Sequence, residues 1–276
     1  MNPVNKALWY IESHFAEEIT LGDIAEVTSV TQHYLTRAFG EATGRSIMRY
    51  VRGRRLTEAA HSLAKGASDI LCVALDAGYG SHEAFTRAFR DQFGVTPESV
   101  RAHRSLDNLL LVEPIMMDET LFAQLAPPRF EDSKPLLIAG LGARYNWETG
   151  AAIPAQWQRF VPYNGTIAGQ IGTTTYGVCC NGDDEGNYDY ISGVEVASFS
   201  DVPDDFARVG IPQQKYAVFR HDDHVSTIRR TINTIWNKWL PESGHEVADA
   251  PTFERYQNFD PRTGMGIIEI WLALRK

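Results

Sequence analysis

The chain has 276 residues, 43% hydrophobic and 22% charged, with 13 Phe, 11 Tyr and 6 Trp. This globular composition fits about two domains and excludes disordered, collagen-like and low-complexity classes. No apolar run reaches the roughly 18 residues of a membrane span, and Lys6, Glu12, Glu17, Glu18 and Asp23 punctuate the first 25 residues. These features predict no secretory signal, no membrane partner and a cytoplasmic protein. The net charge of −9 is uneven: residues 1–108 hold 12 Lys and Arg against 13 Asp and Glu, residues 109–276 hold 14 against 22. An acidic total therefore does not exclude DNA binding by the N-terminal part, because affinity comes from a local face. Cys72, Cys179 and Cys180 are an odd set with one adjacent pair, whose side chains point to opposite faces of a strand. They read as small buried hydrophobes, and neither a disulfide framework, a metal site nor a cofactor is expected.

The first 105 residues have helical periodicity and almost no proline. Thr36-Arg37-Ala38-Phe39 recurs 50 residues later as Thr86-Arg87-Ala88-Phe89, with Leu35 matching Phe85 and Gly44 matching Gly94. Each copy has a helix-turn-helix pattern: Thr20 caps a helix over 21–27 and Thr31 the next, while Ser68 caps 69–76, Gly78 makes the turn and Ser81 caps the last. Leu35, Ala38, Phe39 and Ala42 form the inner stripe of the second helix in the first copy. Phe85, Ala88, Phe89 and Phe93 do so in the second. The opposite stripes hold Gln32, His33, Thr36 and Arg37, then His82, Glu83, Thr86, Arg87 and Arg90, side chains that can bond base edges and phosphates. A linking helix from Ser46 to Ala64 carries Arg49, Arg52, Arg54 and Arg55. Gly53 at its centre costs about 1 kcal/mol relative to Ala.

Residues 5–104 resemble the AraC family DNA-binding domain. The likeness rests on Leu21, Ile24-Ala25, Tyr34-Leu35, Arg37, Phe39, Gly44, Arg55-Leu56, Val73-Ala74, Gly78-Tyr79, Phe85, Arg87, Phe89, Gly94-Val95-Thr96-Pro97 and Arg101. The resemblance implies two helix-turn-helix units on one linker helix, reading adjacent major grooves. The base-facing residues it implies are Gln32, His33, Thr36, Arg37, His82, Glu83, Thr86 and Arg87. Glu83 departs from a DNA-facing surface, since an acid repels phosphate, unless it accepts from a cytosine amino group.

From Ser105 to Ser133 the pattern loosens into a linker with some apolar contact and room for a helix around 118–126. The expected organisation is an all-α tandem helix-turn-helix domain over 1–106, a linker over 107–133 and an α+β domain over 134–276. In the last, strands read at 136–145, 174–180 and 188–199, with a helix at 154–160. A second round follows, with strands at 213–220, 253–259 and 266–275 and a helix at 224–240. That is β-α-β-β twice, with both helices on one face of a curved sheet and the other face free as a ligand groove. His221 and His224 flank two aspartates where the last helix begins, and read as its cap. On the final strand Ile268, Ile270, Leu272 and Leu274 alternate with Ile267, Glu269 and Trp271. A partly desolvated Glu269 beside Trp271 and strand tyrosines attracts an organic cation. The alternative is a strand glutamate paired with an arginine such as Arg255.

Residues 110–276 resemble the GyrI-like, multidrug-sensing effector domain through Tyr176-Gly177-Val178, Tyr190-Ile191-Ser192-Gly193-Val194-Glu195-Val196 and Glu269-Ile270-Trp271. The resemblance implies an aromatic pocket around a central glutamate, here Glu269, with Trp157, Tyr176, Tyr190 and Trp271 as walls. Together the two halves imply a transcription regulator whose partners are promoter DNA, a small hydrophobic or cationic effector and RNA polymerase. No catalytic residue is assigned. The rivals are a DNA-tethered hydrolase with Glu269 as general base, and a C-terminal protein-interaction module.

Overall fold

The computed structural model describes residues 2–275. They form two compact units, one of residues 3–32 and 46–117, the other of residues 33–45 and those from 118 on.

The first unit contains α1 (Pro3–His14), α2 (Leu21–Thr28), α4 (Ile47–Ala64), α5 (Ile70–Asp76), α6 (His82–Phe93) and α7 (Pro97–His103). Between α2 and α4 runs α3 (Gln32–Thr43), of which all but Gln32 groups with the second unit. Thr20 and Asp23 form a capping box on α2 that satisfies two orphan donors. Asp69, rather than Ser68, caps α5: its carboxylate accepts from Leu71 N at 2.9 Å. Ser81 caps α6 through Ala84 N at 3.1 Å. The expected inner stripe of α6 holds, with Phe85, Phe89 and Phe93 buried in tilted and edge-on ring contacts of 5.5 and 4.7 Å centroid spacing and Ala88 half-buried against them. Gly53 has a packing reason: a Cβ there would lie 2.8 Å from Val112 Cγ2. Two of the linker-helix arginines are structural. Arg54, 6% exposed, pairs with Glu12 and Glu58 and donates to Val112 O, and Arg55 donates to the carbonyls of Phe15 and Glu17.

The second unit is built on one antiparallel sheet with strands β1 (Arg129–Asp132), β2 (Leu136–Tyr145), β3 (Gln170–Cys180), β4 (Tyr188–Val196), β5 (Ala207–Ile211), β6 (Lys215–His221), β7 (Thr252–Asp260) and β8 (Met265–Leu274). Their order is β1-β6-β8-β7-β3-β4-β2-β5. Helix α8 (Ile153–Phe160) follows β2, and α9 (Ile228–Thr234) follows β6. The duplication extends beyond the expected β-α-β-β, because each half begins with a short extra strand that pairs with the other half. β1 lies on β6, and β5 on β2. So part of the segment read as linker, 129–132, belongs to the sheet. The helix expected around 118–126 is a single 3₁₀ turn at Glu119–Leu121.

The helix expected over 224–240 is interrupted. A 3₁₀ turn, Val225–Thr227, leads into α9, then a π turn, Ile235–Trp239, and then α10 (Leu240–Ser243). Pro241 explains the π turn, since it cannot donate to the carbonyl four residues back and its ring crowds it. His224 caps the 3₁₀ turn as expected, its side chain accepting from Ser226 N.

Both helices lie on one face of the sheet, but the other face is not free. There Tyr176, Val178, Tyr216, Val218, Phe253 and Trp271 join Ile138, Ile191 and Ile211 in one buried cluster. These residues come from seven of the eight strands, so the sheet curls around its own apolar face and buries it.

Candidate functional site

The cavity lies on the helix side. It measures about 820 Å³ and is bounded by α8, the start of α9 and the inward residues of β3, β4 and β7, with residues of α3 completing its wall. Strand alternation sets its floor: Gly177 of β3 faces Glu254 of β7, and Cys179 of β3 faces Tyr190 of β4. Gly177 is required by this packing, because a Cβ would strike both the Tyr190 hydroxyl and the Glu254 carboxylate.

Glu254 is the anion of this floor. Its Oε2 accepts from the Tyr190 hydroxyl at 2.6 Å and from the Tyr256 hydroxyl at 3.0 Å, and Trp157 Nε1 donates to Tyr190 at 2.9 Å. Trp157 packs edge-on against Tyr256, with centroids 5.0 Å apart. Among the described residues no Lys or Arg forms an ion pair with Glu254. Burial raises its pKa above the usual carboxylate value, and the two phenols and the field of Arg37 oppose that rise. Burial also pushes the Cys179 thiol up to about 12, so it sits in the cavity wall as a neutral group.

Helix α3 presents an arginine to the same cavity. The Arg37 guanidinium carbon stands 5.0 Å from the Trp147 ring centre, 5.3 Å from Tyr188 and 5.8 Å from Trp236. Its Nη2 pairs with Glu41 at 3.0 Å and lies 3.7 Å from Cys179 Sγ. Burial disfavours the charged form, and the Glu41 carboxylate beside it acts against that loss. The π turn grips the same helix: the Tyr34 hydroxyl donates to Trp236 O at 3.0 Å, and Asn237 Nδ2 donates to Ala38 O at 2.9 Å.

The five expected pocket residues divide. Trp157 and Tyr190 line the cavity, whereas Tyr176, Glu269 and Trp271 lie on the opposite face of the sheet. Glu269 as a free counter-charge is corrected. It is 8% exposed, pairs with Arg129 Nη2 at 2.9 Å and Arg255 Nη1 at 3.8 Å, and accepts from Trp271 Nε1 at 3.1 Å. The β7–β8 register sets Arg255 opposite it, and the unforeseen strand β1 supplies Arg129. Glu254, missed from sequence, carries a signal of its own: the spacing Glu254-x-Tyr256 puts an acid and a phenol on one strand face.

Of the expected DNA-facing residues, Gln32, His33, Glu83 and Arg87 are exposed. His82 pairs with Glu98 at 3.1 Å. Glu83 sits in the first turn of α6, where hydrogen bonds to backbone and to Ser81 lower its pKa. An acid is favoured at a helix N-terminus, which explains Glu83 without DNA. Thr36, 8% exposed, and Arg37, whose side chain is 17% exposed, are covered rather than outward-facing. Among the described residues no group of three or more His, Cys, Asp and Glu could hold a metal, and no helix is long and apolar enough to cross a membrane.

Residues 126–275 match the GyrI-like small molecule binding domain. The chain belongs to that family. Residues 24–103 of this GyrI-like protein match a helix-turn-helix domain, which is of AraC type. Transcriptional regulator Rob of Salmonella typhimurium is 31% identical over 49% of this chain and 46% of its own. HTH-type transcriptional activator AarP of Providencia stuartii is 30% identical over 40% of this chain and 83% of its own. The structure of SAV2435 bound to tetraphenylphosphonium is 21% identical, covers 54% of this chain and 94% of its own, and has a TM-score of 0.45. The GyrI-like chain matches less than half the length of Rob.

Proposed function

We propose that this protein is a ligand-responsive, sequence-specific DNA-binding transcription regulator that senses a hydrophobic cation. The observation that carries the reading is Glu254, a carboxylate lining an aromatic cavity that accepts from two phenols and, among the described residues, forms no ion pair. An anion there is costly to desolvate, and an organic cation entering among the rings offsets that cost by Coulomb attraction and cation–π contact. In this reading residues 1–106 bind promoter DNA, 107–133 connect, 134–276 bind the effector, and RNA polymerase receives the output. The AraC-type domain and the activator and regulator names of the relatives support it. A hydrolase using Glu269 as general base is disfavoured, because two arginines and an indole N–H occupy that carboxylate. The test is titration of the full chain with tetraphenylphosphonium and a neutral triaryl compound of similar size. Binding of the cation alone, lost in Glu254→Gln, supports the reading, and equal binding of both compounds by parent and variant overturns it.

A further inference from the structure

Arg37 is a cation already seated among rings at the wall of the Glu254 cavity. Two independent features concern how it comes to be there. The first is Gly40, in the middle of α3. The repeat offset of 50 places Arg90 at the matching position of α6, so a helix-turn-helix frame does not call for glycine. What calls for it is Trp147, whose indole a Cβ at position 40 would overlap. The second is that the seat fits imperfectly. Thr36 Oγ1, Arg37 Nε, Trp147 Nε1 and Asn237 Oδ1 are buried without a hydrogen-bond partner, four of the seven such side-chain atoms among the described residues. Orphaned polar groups weaken a packed contact, and a weak contact is one that opens. The glycine lets α3 come close, and the orphans keep it from being held fast.

We propose that the Arg37 guanidinium is a built-in competitor for the cation site, so that an effector cation and the seated α3 exclude one another and effector binding releases α3 toward DNA. This rests on the cation-sensing reading above. Trp147 and Tyr188 cannot give the same ring faces to both cations. Charge acts in the same direction, because two cations in one largely desolvated cavity repel each other. Linkage makes the coupling reciprocal, so whatever factor the cation applies to α3, loosening α3 returns to the cation. Thr36 and Arg37, both expected to face bases, are the residues this seat covers.

The test uses the full chain as parent, Gly40→Ala and Tyr34→Phe, with tetraphenylphosphonium titrated calorimetrically and amide exchange followed over residues 33–43. Gly40→Ala adds a methyl that a free helix accepts readily but the seat cannot. Tyr34→Phe keeps the shape and removes the bond to Trp236 O, which preserves the fold if the first variant is lost. The expected result is about tenfold tighter cation binding and at least tenfold faster α3 exchange in Gly40→Ala, with changes of about threefold in the same direction in Tyr34→Phe. In the parent, the cation itself should speed α3 exchange. Equal cation affinity in all three proteins, or binding that leaves α3 exchange unchanged, overturns the competition and leaves the cation site standing. Failure of all three to bind the cation overturns the cation reading and the competition together.

Discussion

The Tyr190 hydroxyl reaches Glu254 Oε2 at 2.6 Å across β4 and β7, two strands that do not pair with each other. The bond passes over β3 at Gly177, where that strand has no side chain to block it. Gly177→Ala should therefore separate the phenol from the carboxylate while leaving the sheet paired. Calorimetry should show cation affinity reduced by about tenfold, the loss of one hydrogen bond to a charged group. Far-ultraviolet dichroism should be unchanged.

The two glutamates should respond oppositely to the same isosteric change. Glu254→Gln removes the cavity's anion and should weaken cationic ligands by at least about 1.4 kcal/mol, or tenfold, while sparing neutral ones. Glu269→Gln should leave cation affinity within about twofold and instead lower stability by about 1–2 kcal/mol, because Arg129 and Arg255 lose their shared carboxylate. Ligand titration and thermal melts of the two variants, side by side, check both halves.

Cation affinity should fall with acid. The pKa of Glu254 is raised by burial, so protonation removes the counter-charge at a pH above the usual carboxylate range. Binding should weaken as pH drops through that raised pKa and release a proton near it, and Glu254→Gln should give a flat profile. Stability follows the other sign. A carboxyl whose folded pKa lies above its unfolded value binds protons better when folded. Its contribution is therefore greatest in acid and is lost as pH rises through the folded pKa. At neutral pH the ligand-free Glu254→Gln protein should melt higher than the parent, as scanning calorimetry would show.

Arg87 is the exposed counterpart of Arg37 in the second repeat. Arg87→Ala should weaken specific DNA binding by about 1–3 kcal/mol and leave the fold intact. The check is a genomic footprint of the parent, followed by affinity measurements on the fragment it identifies. Undiminished affinity would remove Arg87 from the DNA contacts.

The long strands were legible from composition and alternation: the span expected for β2, 136–145, is the span observed, and β4 and β8 were placed within three residues at either end. The short strands were not. Arg129-Phe130-Glu131-Asp132 has three charged residues in four, and it pairs because β6 offers an edge, a long-range fact that no local pattern contains. The same gap misplaced the pocket. Glu254 and Glu269 sit on neighbouring strands, each beside an aromatic residue, and alternation alone cannot say which faces a cavity. The difference is made by Arg129 and Arg255, which pair with Glu269 and not with Glu254. The polar stripe of α3 likewise reads as solvent-facing from any helical wheel, and its one local clue is a glycine where the repeat has Arg90.

The exchanged first strands make the C-terminal duplication behave as an internal dimer. Each half lends its opening strand to cover a bare edge of the other, β1 on β6 and β5 on β2. A single half made alone would leave that edge unpaired, and an open edge recruits strands from other chains. Neither half can therefore melt or be cut away without stripping its twin, and a fragment beginning after Asp132 would aggregate even though it keeps Trp157, Tyr190, Glu254 and Tyr256.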